Sequence, residues 1–112
     1  MAVRKLLLLL LLLALCSALL SAQVSTGSLQ GDISDPNGAV VAGVKVTARH
    51  LPTNQNYETI TTEAGLFVFP SLQTGYYSVT VEKEGFKSLT RSGIEIRVAQ
   101  RQILNIQLEL GT

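Results

Sequence analysis

The sequence predicts an all-β fold, an antiparallel β-sandwich of about seven strands, preceded by a signal peptide. Apolar and polar residues alternate with period two through most of the chain, and no helical stripe of useful length interrupts them after the N-terminal segment. Turn-forming residues recur between the alternating runs. Because each predicted strand has one apolar face, two sheets must pack those faces against each other.

The N-terminal segment has the layout of a secretory signal peptide. Two basic residues precede an apolar core at 6–15, and the run ends at the small residue Ala22. We therefore expect cleavage between Ala22 and Gln23. This divides the chain into a leader at 1–22 and a domain at 23–112.

Two other interpretations of the leader stay open. A membrane anchor needs about 20 apolar residues, whereas this run weakens after Leu20. A lipoprotein signal would place a cysteine at the cleavage site, but the residue before Cys16 is Leu15, which is large where such a signal has a small residue. The simpler interpretation is that Cys16 is one more apolar residue of the leader.

The mature part of the chain is small, nearly neutral and free of cysteine. About ninety residues suffice for one core, and without disulfides that core must hold the fold by packing alone. Seven Lys and Arg face eight Asp and Glu, with no block of either sign. This pattern argues against a nucleic-acid surface or a basic membrane patch, and no mature segment is apolar enough to span a membrane.

Three strands are predicted in the first half of the domain. Residues 29–33 and 44–48 alternate, and the Asp-Pro-Asn-Gly sequence at 35–38 forms a turn between them. Residues 51–56 interrupt the pattern and are expected to form an exposed loop. The run at 57–62 is rich in Thr and β-branched residues, which suits a polar strand at a sheet edge.

Four more strands are predicted in the second half. The first contains Phe67 and Phe69, and Pro70 is expected to limit it. The other three have these apolar faces: Tyr77, Val79 and Val81; Ile94, Ile96 and Val98; Leu104, Ile106, Leu108 and Leu110. Glycines that tolerate positive φ are expected at the turns, namely Gly38, Gly43, Gly65, Gly75 and Gly85.

The aromatic segment at 61–81 is either the lining of a site or the centre of the core. Its large apolar residues fall on the predicted inward face at strand spacing: Phe67, Phe69, Leu72, Tyr77 and Val79. Residues in that pattern indicate a core. We therefore interpret the segment as architecture.

The spacing of glycines and aromatic residues resembles that of the carboxypeptidase regulatory-like domain. The matching positions are Gly31, Asp35, Gly38, Gly43, Val44, Val46, Thr61, Gly65, Phe67, Phe69, Leu72, Gly75, Tyr76, Gly85 and Phe86. Thr62 stands where the family commonly has an Asp, which is expected to cost a polar contact in the turn. The resemblance covers nearly all of the mature chain and implies a transthyretin-like (prealbumin-like) sandwich, often grouped with carbohydrate-binding-like folds.

The resemblance also implies an accessory role. Such domains lie beside a peptidase domain, in tandem on surface proteins, or at the N-terminus of bacterial TonB-dependent outer-membrane receptors. A leader followed directly by one such domain is most similar to the last arrangement. We therefore expect an exported, non-enzymatic interaction or spacer module in the periplasm, at the outer membrane or outside the cell, with an envelope protein or glycan as partner.

Catalytic or metal chemistry has little support in the sequence. His50 is the one histidine, and beside the 51–56 loop it is expected to be solvated or at a sheet edge. Asp35 is expected to begin a turn, and a calcium loop needs more carboxylates than Asp35 and Asp32 supply. We expect no catalytic residue, no metal site and no cofactor.

An internal crosslink is a further alternative, because similar sandwiches, the B-type repeats of collagen adhesins, join a lysine to an asparagine beside a buried glutamate. Lys45 and Asn105 have the right residue types, but both lie on the outward side of their alternations. The stretch at 69–74, which would carry the glutamate, contains no acid. We therefore expect no isopeptide bond.

A binding role would depend on two tyrosines. Tyr57, beside the 51–56 loop, and Tyr76 are candidates for outward-facing rings that stack on a sugar or peptide. The simpler interpretation is that Tyr57 is a strand former and that Tyr76 covers a sheet edge. A free-standing carbohydrate- or peptide-binding module is thus the alternative to the envelope module.

Overall fold

The computed structural model describes residues 1–20 and 25–111 of the chain. This part contains one helix and eight strands: α1 (Ala2–Leu20), β1 (Thr26–Ser34), β2 (Lys45–His50), β3 (Gln55–Ile60), β4 (Leu66–Gln73), β5 (Gly75–Glu82), β6 (Leu89–Ile96), β7 (Arg101–Ile103) and β8 (Ile106–Gln107). The strands form two sheets whose apolar faces enclose a single core. The predicted all-β sandwich is confirmed.

Helix α1 lies within the segment 1–22 that the sequence predicts as a leader. Its run of leucines has high helix propensity, and the side chains described along it are exposed. Among the described residues, no helix is both long and apolar enough to cross a membrane. The predicted cleavage site between Ala22 and Gln23 lies outside the described residues.

Sheet 2, as we call the sheet with the order β3-β2-β5-β6, is antiparallel throughout. Strand β2 pairs along its whole length with both neighbours, so that His50 lies opposite Gln55 on one side and Tyr77 on the other. Side chains alternate across the sheet, and the row that contains His50 and Tyr77 faces the core. Strand β3 forms an edge, as its polar composition predicted, but it begins at Gln55 rather than Tyr57.

Sheet 1 has the order β4-β1-β7, and β8 also pairs with β1. Strand β1 is antiparallel to β4 but parallel to β7 and β8. The prediction of one continuous last strand at 104–110 was wrong, because the C-terminal part of the chain forms two short strands, β7 and β8, with a break between them. The chain follows β1 in two short pieces, with the backbone N–H of Leu104 donating to Gln30 and that of Leu108 donating to Ser34.

Strand β4 continues past Pro70, which the sequence suggested as its limit. Gly27 of β1 lies opposite Leu72 and Leu29 lies opposite Phe69, so β4 has one extra residue between these two pairs. Proline, which lacks an N–H, is tolerated at such a bulge and on an edge strand. The exposed Pro70 lies within this bulge, and β4 is an edge strand because it pairs with β1 alone.

The core contains the residues that alternation predicted for the segment at 61–81. All five are buried, together with apolar residues from both sheets: Leu29, Ile33, Val44, Val46, Ala48, Phe67, Phe69, Leu72, Tyr77, Val79, Val81, Ile96, Ile106 and Leu108. Two residues predicted on apolar faces are instead exposed, Val98 at 57% and Leu110 at 64%. Strand β6 ends before Val98 and β8 ends before Leu110, so strand alternation does not extend to either.

Candidate functional site

Tyr76 lies on the outer face of sheet 2 and is 52% exposed. It pairs with Glu95 of β6, and its hydroxyl donates to the Glu95 carboxylate over 3.5 Å. This contact is long for an O–H···O hydrogen bond, so it orients the exposed ring only weakly. Of the two predicted tyrosines, Tyr76 is the one that presents an aromatic ring to solvent.

Tyr57 faces the other way. It pairs with the buried Ala48, and its ring centroid lies 6.4 Å from that of Tyr77 in the core. Tyr57 is partly buried against the core cluster. Because Tyr57 and Tyr76 occupy opposite faces of one sheet, the structure does not bring the two candidates into a single site.

His50 is buried, at 5% exposure, so the expectation of a solvated or edge histidine was wrong. Strand β2 extends through His50, and period two places it on the inward face with Val46 and Ala48. Its Nε2 lies 3.0 Å from the carbonyl oxygen of Thr74, which can only accept, so Nε2 donates. In the neutral imidazole, Nδ1 then accepts from the Thr53 hydroxyl at 2.7 Å.

These two hydrogen bonds give His50 a structural role. They connect the tight turn after β2 to Thr74, which lies between β4 and β5. The backbone N–H of Leu51 also donates to the carbonyl of Tyr76 in β5 over 3.0 Å. The His50 ring packs 5.0 Å from that of Tyr77. Both imidazole nitrogens are engaged, which leaves neither for a substrate.

The loop predicted at 51–56 is shorter than expected. Residues 51–54 form the turn, and residues 55 and 56 already belong to β3. Asn54 has φ 59°, a left-handed conformation that Asn adopts more readily than most residues. Its side-chain oxygen accepts two hydrogen bonds from the Arg49 guanidinium, at 3.2 and 2.8 Å from Nε and Nη2.

Arg49, Asn54, Tyr76, Glu95 and Arg97 together form a polar cluster on the outer face of sheet 2, which we call the Tyr76 patch. Arg49 pairs with Ser78, two residues along β5 from Tyr76, so the two long side chains are diagonal neighbours on one face. Tyr76 was proposed from the sequence as a ligand contact, but none of the other four residues was. Arg49 could have been included, because the alternation along β2 predicts that its side chain faces outward.

Charge at the patch is distributed unevenly. The Arg97 guanidinium donates to both Glu95 carboxylate oxygens at 3.1 and 3.2 Å, which lowers the pKa of Glu95 and raises that of Arg97. Arg49 binds a neutral amide instead, and within the described part of the chain no carboxylate pairs with it. The patch therefore carries one positive charge that is not neutralised locally.

The side chains considered for an isopeptide bond or a calcium loop make ordinary structural contacts. The Lys45 ammonium forms an ion pair with the Glu58 carboxylate at 3.4 Å on sheet 2. The side-chain oxygen of Asn105 accepts a hydrogen bond from the backbone N–H of Asp32 at 3.4 Å beside sheet 1. Both are exposed, as the alternation indicated. The Asp35 carboxylate accepts from two backbone N–H groups at 2.9 Å and begins the turn as expected.

Thr62 was expected to cost the turn a polar contact. In the structure its hydroxyl accepts a hydrogen bond from the backbone N–H of Leu66 at 3.3 Å, so that expectation was wrong. The five turn glycines lie at positive φ, between 73° and 135°: Gly38, Gly43, Gly65, Gly75 and Gly85. Gly93, which the sequence pattern did not single out, has φ 74°.

Gly75 is required by contact as well as by φ. A Cβ atom at this position would lie 2.8 Å from Nε2 of His50. The glycine thus lets the imidazole approach the turn closely enough to bind Thr74.

Potential metal ligands are not clustered in the part of the chain that the structure describes. Among residues 1–20 and 25–111, no three or more His, Cys, Asp and Glu side chains lie together in an arrangement that could hold a metal ion.

Comparison with solved structures agrees with the sandwich. The TIE protein of Bacillus anthracis superposes with a TM-score of 0.67 at 21% identity, over 77% of this chain and 17% of that one. The minor pilin GBS52 of Streptococcus agalactiae gives 0.63 at 14%, over 80% and 46%. A 3-chlorocatechol 1,2-dioxygenase of Rhodococcus opacus gives 0.62 at 13%, over 80% and 61%. At these identities the likeness shows the fold alone.

Sequence comparisons identify the family more specifically than the structural comparisons do. The TonB-dependent transporter Oar of Myxococcus xanthus is 29% identical over 89 residues, which are 79% of this chain. The chain spans only 8% of that transporter's length. The family model described as the carboxypeptidase regulatory-like domain matches residues 28–109, from β1 to the end of the sandwich. On that match the chain belongs to the carboxypeptidase regulatory-like domain family.

Proposed function

We propose that the chain is an exported, non-catalytic module of the bacterial envelope, placed at the N-terminus of a TonB-dependent outer-membrane receptor. The observation that carries this proposal is the family match over residues 28–109 together with the similarity to a TonB-dependent transporter. Within such a receptor the domain serves as a spacer or as a contact for another envelope component.

The geometry of the domain supports a non-catalytic role. Two side chains that could perform acid–base chemistry have structural roles instead: both nitrogens of His50 are hydrogen-bonded, and Asp35 organises a turn. Among the described residues, no buried side-chain nitrogen or oxygen lacks a hydrogen-bond partner.

Export is supported by the N-terminal segment. A positive end, a leucine-rich helix and a small residue at 22 follow the order of a signal peptide. The domain contains no cysteine, so its stability does not depend on the redox state of the compartment in which it folds.

N-terminal sequencing of the exported product tests this part of the proposal. The chain is expressed in an exporting bacterium, and the expected mature protein begins at Gln23. Leu10→Arg, which places a charge in the apolar core of the leader, is expected to block export, whereas Leu10→Ile is expected to leave it unchanged. A product that keeps Met1 and stays in the cytoplasm would overturn the export proposal, and a lipid-modified Cys16 would replace it with lipoprotein processing.

A further inference from the structure

We propose that the Tyr76 patch on the outer face of sheet 2 is a binding site for an acidic polysaccharide, in which a uronic-acid carboxylate binds Arg49 and the sugar ring stacks on Tyr76. This inference does not depend on the envelope role proposed above. It concerns only side chains of the domain itself, on β2, β5 and β6 and the segments beside them.

The side chains of the patch are hydrogen-bonded to one another in the structure. Arg49 is held by two hydrogen bonds to Asn54, Glu95 by two from Arg97, and Tyr76 by one to Glu95. Exposed long side chains lose rotamer entropy when a ligand immobilises them, and side chains that are already fixed avoid much of that cost. All but Arg97 and the turn residue Asn54 belong to paired strands.

Charge selects the chemical class of the ligand. The Arg49 guanidinium uses Nε and Nη2 on a neutral amide, so Nη1 and the second hydrogen of Nη2 remain as donors. A planar carboxylate is the natural acceptor for a guanidinium. The neighbouring Glu95 is already neutralised by Arg97, so its charge repels such a ligand only weakly.

The shape of the surface favours a sugar chain over a peptide. The patch lies on β2, β5 and β6, whose backbone groups pair with one another, so it offers side chains and no free ladder positions. Extended peptides are more commonly recognised at a strand edge or in a groove. An open face with one exposed aromatic ring accommodates an internal residue of a polysaccharide, since the chain can continue in both directions.

Binding of an oligomer of galacturonic acid to the full-length chain, measured by isothermal titration calorimetry, tests the proposal. The neutral galactose oligomer and an oligomer of glutamate serve as comparison ligands. We expect saturable binding of the galacturonate alone, weakened about tenfold or more in Arg49→Gln, because a charge-assisted hydrogen bond is lost. Tyr76→Ala should weaken it similarly, whereas Arg49→Lys should keep part of it.

Arg101→Gln is the matched control, because Arg101 is exposed on β7 in the opposite sheet. It removes the same charge from the molecule and should leave binding unchanged. Melting of each variant shows whether the fold is intact. No binding of the galacturonate, equal loss in Arg101→Gln, equal binding of the neutral oligomer, or preference for the glutamate oligomer would each overturn the proposal.

Discussion

Phe67 illustrates how a single side chain reports the register of its strand. It is 1% exposed and packs with its ring centroid 6.3 Å from that of Phe69, whereas its neighbour Leu66 is 48% exposed on the opposite face. A shift of one residue in β4 would exchange the two environments. The pair Phe67 and Leu66 therefore tests the predicted face with two adjacent residues.

We expect Phe67→Ala to lower the free energy of unfolding by about 3–5 kcal/mol, because it removes a buried ring and leaves a cavity. Leu66→Ala should change it by only about 0.5 kcal/mol, as surface substitutions do. Denaturant unfolding of both variants measures the difference. A larger loss for Leu66→Ala than for Phe67→Ala would mean that the register of β4 is wrong by one residue.

Tyr77 makes the stability of the domain sensitive to alkaline pH. Its ring is fully buried, and this burial raises the pKa of its hydroxyl to about 12 from 10.0, with a smaller contribution from Tyr57. The unfolded chain therefore loses this proton at a lower pH than the folded chain does. Stability from Tyr77 is fully present below about pH 10 and declines as pH rises through 12.

The prediction for Tyr77 is a fall in unfolding free energy between pH 10 and 12 that is smaller in Tyr77→Phe, which has no hydroxyl to ionise. Tyr77→Phe also loses the hydrogen bond to the carbonyl of Gln73, at 2.7 Å, so the comparison is of slopes with pH and not of absolute stability. Tyr76→Phe, at an exposed position, is the control for the loss of one tyrosine hydroxyl. Equal slopes for the parent and Tyr77→Phe would contradict the assignment.

At the scale of the element, β1 is the strand against which the C-terminal part of the chain packs most closely. A Cβ atom at Gly31 would overlap the backbone carbonyl of Leu104, and one at Gly27 would overlap that of Arg97. Neither glycine has positive φ, so close approach and not backbone conformation is the reason for glycine at both positions.

Gly31→Ala should therefore destabilise the domain by about 1–3 kcal/mol or more, because the backbone at Leu104 must move to admit the methyl group. Gly111→Ala is the matched control: its φ is also ordinary, and its added Cβ meets only normal contacts from 3.4 Å. Thermal unfolding of the two variants measures the effect. Similar melting temperatures for both would show that β7 and β8 do not approach β1 as described.

Local alternation was sufficient to predict the faces of the long strands but not the pairing of the short ones. Phe67, Tyr77 and the edge strand β3 follow from period two and polar composition, which act within a few residues. The parallel pairing of β1 with β7 and β8 depends on contacts about seventy residues apart, and no local pattern encodes them.

The candidate site shows the same division. Exposure of Tyr76 follows from its position beside the inward-facing Tyr77. The partial burial of Tyr57 depends on the register in which β3 pairs with β2, which places Tyr57 opposite the inward-facing Ala48. The buried role of His50 was implicit in the alternation of β2, but its place beside a loop favoured the wrong interpretation. Arg49 became relevant only when the register placed it diagonal to Tyr76.

At the scale of the whole molecule, the domain is a cysteine-free sandwich with one core, whose family relative is a far longer transporter. We interpret it as a module whose biological role depends on the polypeptide and the compartment to which it belongs. Residues 51–56 are exposed throughout, which makes this segment a suitable epitope for following the native product.

Immunoblotting of fractionated cells with an antibody against residues 51–56 tests the proposal that the domain belongs to an outer-membrane receptor. The envelope-receptor proposal predicts a large band in the outer-membrane fraction. Because the relative is matched over only 8% of its length, that band should be many times heavier than the 12.0 kDa chain. A band confined to the cytoplasm would contradict the account, and a small band in the periplasm or medium would contradict its receptor part.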